Sequence, residues 1–295
     1  MKNILLILFF SLLFFFCRNS GDLENKKGNV ITDDLGFTFS ADINPEKIIA
    51  LTPSITEIIF SLHCEDKLAG NTIYCDYPPE AKKIPKVGDL MTIDFERIIK
   101  INPDMIFVSA EGSGKSNYDK LKKLGFKVFV TAPKDYAGIK KSYSDIAGLL
   151  GKSEFAERKI AGWDSVVVKI REENDGRKKL RTLYLIGINP LFAAGENTFI
   201  DEIMKICGLE NIAAGSNQNY PVLNPEQVIE KNPEIIIYPT AKMNFNQLRS
   251  SYTEWKDVEA FKTGRVYFVD ENLFSRSGPR FAKACSKLDS IIRGR

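Results

Sequence analysis

The chain has 295 residues, 44% of them hydrophobic and 27% charged, with a formal net charge of +3. The excess is small and forms no Lys/Arg stripe interleaved with aromatics, which excludes a dedicated nucleic-acid surface. The length is sufficient for one large or two ordinary domains with sizeable cores.

The first element is an apolar run from Ile4 to Phe16, broken only by Ser11, preceded by Lys2 and ended by Cys17. A membrane span needs about 18 or more such residues, so this run reads as an export leader. Its end at Cys17 resembles a bacterial lipoprotein signal, in which Cys17 becomes the lipidated N-terminus. Phe14, Phe15 and Phe16 depart from the small residues such signals favour, and an uncleaved or differently cleaved leader is the alternative. "RNSGDLENKKGN" reads as a tether. Residues 1–17 are therefore assigned to the leader and 18–46 to the tether.

Export permits disulfides. Besides Cys17 the chain has Cys64, Cys75, Cys207 and Cys285. Proximity in sequence favours Cys64–Cys75 and Cys207–Cys285; three pairings are possible, and buried free thiols are the alternative. There is no C-x-x-C, and His63 is the sole histidine. No zinc cluster or other metal site is expected from such a set. His63 ends an apolar helical pattern and is expected to pack there.

From Lys47 the chain alternates strand and helix: "KIIALTP" strand, "SITEIIFSLHC" helix, "DFERIIKI" helix, "DMIFVSA" strand, "NYDKLKKLGF" helix, "KVFVTA" strand. Alternation at these lengths implies an α/β fold with parallel sheets. Residues 135–178 lack a strand; Ser153 to Asn174 keeps apolar residues at helical spacing and predicts one long helix of roughly 30 Å. The α/β pattern then restarts with "RTLYLIG", "TFIDEIMKICG", "NPEQVIEKN", "EIIIYP" and "GRVYFVD", and a last helix starts near Pro279. "DFERIIKINPDMIFV" aligns without gaps on "NPEQVIEKNPEIIIY", 130 residues later, with Glu96 on Glu226, Ile98 on Val228 and Ile99 on Ile229. Two α/β lobes, 47–134 and 179–295, joined by a single long helix within 135–178, are expected.

"FVSAEGSGKSNYDKL" has the strand–loop–helix order of a phosphate-binding loop. A Walker A loop requires G-x-x-x-x-G-K-[ST], and Ser109 stands where its first Gly belongs. "EGSGKS" is read as a cleft loop instead.

"ALTPSITEIIFSL", "GNTIYCDYPPEAKKIPKVGD", "FERIIKINPDMIFV", "GINPLFAAGENTFIDEIMKICGLENIAAG", "YPVLNPEQVIEKNPEIIIY" and "FSRSGPRFAKAC" together resemble the substrate-binding proteins of ABC importers for vitamin B12, iron–siderophores or haem. The likeness runs from Lys47 to the C-terminus, and "TIYCDYPPEA" with "GINPLFAAGE…CGLENI" looks closest to the cobalamin-binding branch. It implies a class III periplasmic binding protein with no catalytic residues and no intrinsic cofactor. Such a protein works as an exported monomer in the periplasm or on the outside face of the membrane, and hands its cargo to a permease dimer in the inner membrane. Carried over by position, the ligand-binding residues are Pro53, Ser54 and Tyr74 on the first lobe and Phe192, Tyr220, Phe274 and Arg276 on the second. Glu96 and Glu226 would seat the receptor on Arg residues of the two permease subunits; as residues near helix N-termini they also favour the helix dipole. Leu90 and Ser109 stand where cobalamin binders often have Trp, and the two tryptophans are Trp163 and Trp255, which keeps a related corrinoid, a ferric siderophore or haem open as cargo. An α/β enzyme is the remaining class; with a lone histidine no nucleophile–base–acid set presents itself.

Overall fold

The computed structural model describes residues 30–110 and 114–294. The leader, Cys17 and residues 111–113 of the expected cleft loop lie outside that range.

The described chain opens with a hairpin, β1 (Val30–Thr32) and β2 (Thr38–Ser40), inside the stretch expected to be tether. Its turn is built on buried Asp33, whose carboxylate accepts from the Leu35 and Phe37 N–H groups and reaches across to Val130 N–H at 3.2 Å. The tether reading fails here because short polar side chains that look solvated are bonding backbone.

The first lobe follows: β3 (Ile48–Ala50), α1 (Pro53–Ser61), β4 (Leu68–Asn71), α2 (Phe95–Ile101), β5 (Met105–Ser109), α3 (Gly114–Lys123) and β6 (Val128–Thr131). The sheet order is β4-β3-β5-β6, every pair parallel. All residues of β3, β5 and β6 are buried because helices cover both faces.

Two helices lead to the second lobe, α4 (Tyr136–Leu149) and the long α5 (Ser153–Asn174). The second lobe comprises β7 (Leu180–Ile188), β8 (Leu191–Ala193), α6 (Phe199–Ile206), β9 (Leu209–Asn211), α7 (Pro225–Lys231), β10 (Ile235–Pro239), α8 (Phe245–Ser251), α9 (Glu259–Lys262), β11 (Val266–Val269), α10 (Glu271–Phe274) and α11 (Phe281–Arg293). Its parallel strands run β9-β7-β10-β11, the order of the first lobe repeated, and β8 adds an antiparallel strand to the far half of β7.

The repeat holds in detail at α2 and α7. Both begin at a side-chain cap, Asp94 accepting from Arg97 N–H and Asn224 from Gln227 N–H. Both end at an asparagine in the left-handed region, Asn102 at φ 50° and Asn232 at φ 41°, a conformation Asn tolerates better than other residues with a Cβ. Ile98 and Val228 are the buried anchors.

The expected disulfides are absent. Cys64, Cys75, Cys207 and Cys285 are buried free thiols. Cys64 packs in the first lobe's core just beyond α1, while Cys75 Sγ lies 3.2 Å from the Thr72 hydroxyl. Cys207 Sγ faces the backbone oxygen of Cys285, at 3.5 Å, rather than its sulfur. Burial raises the Cys207 thiol well above its ordinary pKa and pushes Cys285 up to about 12. His63 sits at the end of α1 with its ring edge-on to Phe155, 5.4 Å between centroids.

Candidate functional site: the cleft between the lobes

In each lobe the parallel strands end on one side, and ligands of open α/β sheets bind outside those carboxyl ends. The two lobes bring these ends together. Gly278, between α10 and α11, lies against Ser54 at the start of α1, so close that a Cβ on Gly278 would stand 3.4 Å from the Ser54 side chain. Pro53 is the first residue of α1 and Ser54 follows it, both half-buried at this contact.

The loop after β4 carries Ile73, Tyr74, Asp76 and Tyr77. It is pinned from below by Lys86, whose ammonium donates to Asn71 Oδ1 (2.7 Å), the Ala81 carbonyl (3.0 Å) and the Cys75 carbonyl (3.4 Å). Burial lowers the pKa of this ammonium. On that fixed base Tyr74 stands 51% exposed. On the other lobe, residues 219–223 lie antiparallel to 191–195: Ala193 N–H donates to the Pro221 carbonyl, Leu223 N–H to that of Leu191, and Phe192 pairs with Val222. This brings half-buried Phe192 and 39% exposed Tyr220 together on one wall. Large apolar or aromatic side chains more than a third exposed here include Ile73, Tyr74, Tyr220 and Val222 in the loops and Ile186 on β7.

Two expected site residues are placed differently. Phe274 is only 1% exposed, packed into the second lobe's core below α11, with its carbonyl accepting from the buried Tyr184 hydroxyl at 3.4 Å. It cannot line a cleft. Arg276 bridges the lobes: Nη1 donates to Glu57 (2.9 Å), and Nη2 to Asp76 (2.6 Å), Asn272 (2.7 Å) and the Tyr74 carbonyl (3.3 Å). With its donors so engaged, the guanidinium is not available for a ligand rim.

Glu57, absent from the expected set, is the centre of this network. Its side chain is 2% exposed and accepts from Arg276 and, through both oxygens, from Arg280 Nε (2.7 Å) and Nη2 (2.6 Å). Bidentate guanidinium pairing fixes geometry as well as charge. Arg280 also lies over the Tyr77 ring, 3.9 Å from its centroid. Burial acts to raise Asp76, but the Arg276 hydrogen bond and charge outweigh it and hold the carboxyl below its usual range. The signal in sequence was a glutamate flanked by Ile55, Ile58 and Ile59 in "SITEIIFSL", an acid on an apolar face.

Glu96 and Glu226 are exposed in the first turns of α2 and α7. Each helix returns from the carboxyl-end side to start the next strand, so both first turns lie at the cleft-side rim. Among the described residues no group of three or more His, Cys, Asp or Glu side chains is placed to hold a metal.

A family model described as "Periplasmic binding protein" matches residues 48–273. The chain belongs to the periplasmic binding protein family. A vitamin B12-binding protein of Pectobacterium carotovorum subsp. carotovorum (strain PC1) is 30% identical over 256 residues, covering 85% of this chain and 91% of that protein. Among solved structures, the periplasmic vitamin B12 binding protein BtuF of Vibrio cholerae superposes with a TM-score of 0.75 at 24% identity, covering 85% of this chain and 97% of that one. The periplasmic heme-binding protein RhuT from Roseiflexus sp. RS-1 gives 0.73 at 23%, covering 84% and 98%. At these identities the structural likeness concerns the fold: two α/β lobes joined by a long helix, the class III arrangement.

Proposed function

We propose that this protein is the extracytoplasmic receptor of an ABC importer, holding cobalamin or a related corrinoid between Tyr74 on one lobe and Phe192 with Tyr220 on the other. The observation that carries the reading is the pair of solvent-facing tyrosines on opposite lobes, at strand carboxyl ends, in a chain 30% identical to a vitamin B12-binding protein. A flat, largely apolar ligand needs such walls and few placed polar groups. The Glu57, Asp76, Arg276 and Arg280 network supports a ligand rimmed by neutral amides. Its two guanidiniums are matched by two carboxylates and leave that end of the cleft without the spare cation a haem propionate would seek.

The receptor binds without turnover. It is exported through its leader, anchored by lipid at Cys17, and works as a monomer. Glu96 and Glu226 seat it on a permease dimer by charge complementarity. The second reading, a ferric siderophore or haem receptor, draws on the same tyrosines, since Tyr can ligate haem iron; His63, edge-on to Phe155, is not among the cleft residues.

Calorimetric titration of the purified protein with cyanocobalamin, cobinamide, haemin and a ferric hydroxamate tests the choice. Corrinoid binding tighter than about 1 μM with weak haemin binding is expected. Tight uptake of haemin or the ferric chelate alone would replace the corrinoid assignment with the second reading.

A further inference from the structure

Glu96 and Glu226 do not stand alone on their helices. Ile99 and Ile229, at the matching position of the repeat, are 50% and 42% exposed. A residue three places along an α-helix lies about 60° round and one turn on, so each isoleucine is the neighbour of its glutamate on the same face. A half-exposed isoleucine is unremarkable once on a surface. Twice, at equivalent places, it requires a reason.

The surrounding exposed positions show what the two lobes have let drift. Asp94 answers Asn224, Arg97 answers Gln227, and Lys100 answers Glu230, a reversal of charge. Between the two caps, the exposed positions that kept their residue are the glutamate and the isoleucine. The preserved feature is therefore a carboxylate beside an apolar side chain, presented once per lobe, the glutamate in the first turn at the cleft-side rim and the isoleucine one turn on.

We infer that Ile99 and Ile229 are the apolar half of a two-point docking surface for a two-fold symmetric partner. Each of the partner's equivalent subunits would offer a cation to the glutamate and an apolar socket to the isoleucine. A repeat of one patch in a single chain fits a partner whose own two copies are identical, as a heterologous protein with one site would use only one of them. The carboxylates steer and orient the encounter, while burial of the isoleucines sets how long it lasts. This rests on the permease-docking reading above and adds to it a contribution that does not depend on charge.

The test uses the full-length receptor and proteoliposomes containing its own permease–ATPase complex, with labelled-receptor binding and ATPase stimulation as readouts. Ile99→Ser or Ile229→Ser should each weaken docking about tenfold, and the pair about a hundredfold. The dependence on ionic strength should be unchanged, because no charge is removed. Ile99→Leu with Ile229→Leu should restore docking to within a few fold, and Lys100→Ala with Glu230→Ala should stay within about threefold. Glu96→Gln with Glu226→Gln should both weaken docking and flatten its salt dependence. Serine variants that dock like the wild type while the glutamine pair fails would overturn this inference and leave the charge-based docking standing. If both pairs dock normally, the docking reading falls as well. A wild-type self-dimer in sedimentation that the serine pair abolishes would reassign the patch to a second copy of the chain and likewise overturn the inference.

Discussion

The two lobes share one strand order and one outer helix design, yet their cleft loops have nothing in common. The first lobe offers a 3-10-containing loop pinned by Lys86; the second offers the β7–β8 hairpin paired with residues 219–223. Likeness has been kept at α2 and α7 and abandoned where the lobes face each other. A ligand without internal two-fold symmetry needs two different walls, whereas a partner with two equal subunits needs two equal seats. The interlobe ion network adds to the asymmetry. Its buried carboxylate belongs to the first lobe and both guanidiniums to the second, so each lobe carries charges that only the other neutralises.

The largest expected effect follows from that dependence. Glu57→Ala would leave Arg276 and Arg280 facing each other with only the partly exposed Asp76 in compensation. Removing one side of a buried ion pair costs about 3–5 kcal/mol, and urea unfolding of wild type and variant should show a loss of that order. A loss below about 1 kcal/mol would mean that water screens the network and the lobes are held by α4 and α5 alone.

Next are the walls. Tyr74→Ala and Tyr220→Ala should each cost about 2 kcal/mol of cyanocobalamin binding, roughly thirtyfold in affinity, by calorimetry. Comparable losses would establish that two unrelated loops share the ligand; a loss in one variant alone would place the ligand on a single lobe.

The smallest effect is pH-dependent. Asp76 has its pKa lowered on folding, so its contribution is complete above the unfolded value near 3.9 and is lost as pH falls through the folded one. Because the side chain is about a third exposed, the contribution is about 1 kcal/mol or less. The melting-temperature gap between wild type and Asp76→Asn should hold from pH 7 to about 5 and close below 4. A gap that widened in acid would mean Asp76 is protonated in the fold.

Much of the architecture was legible in sequence. The long helix was readable from Ser153 to Asn174 because its apolar residues keep a 3.6-residue period for six turns, and the lobe repeat was readable because its caps, anchors and Asn-Pro stops all recur. What escaped had no periodicity to show. β4, "LAGN", is four residues long, and its Gly70 contributes closeness rather than a side chain: a Cβ there would stand 2.9 Å from Val87. The β1–β2 hairpin hid in polar residues whose carboxylates bind backbone. At the candidate site, Tyr74 and Tyr220 were expected from the family resemblance and stand exposed in loops, but Phe274 and Arg276, expected on the same ground, lie within three residues of each other and meet different fates. The short turn of α10 sends the phenyl ring into the core and the loop after it sends the guanidinium across to the other lobe, a direction that residue type alone does not carry.

The helical segment between the lobes has a consequence for how the protein is made. Tyr136 and Ile139, at the start of α4, pack into the second lobe's core, with Tyr136 stacked on Phe281 at 4.9 Å. Tyr143, Ile146 and Leu149, later in the same helix, return to the first lobe. Along α5, Ala156 joins the first core, Val167 and Ile170 the second, and Trp163 packs against both. The two halves are interleaved in sequence like the leaves of a hinge. The first lobe cannot close its core until the chain has emerged as far as Trp163, and no cut between the lobes leaves either one whole. Emerging from an export channel N-terminus first, the chain must hold its first half unfinished until the linking helices arrive.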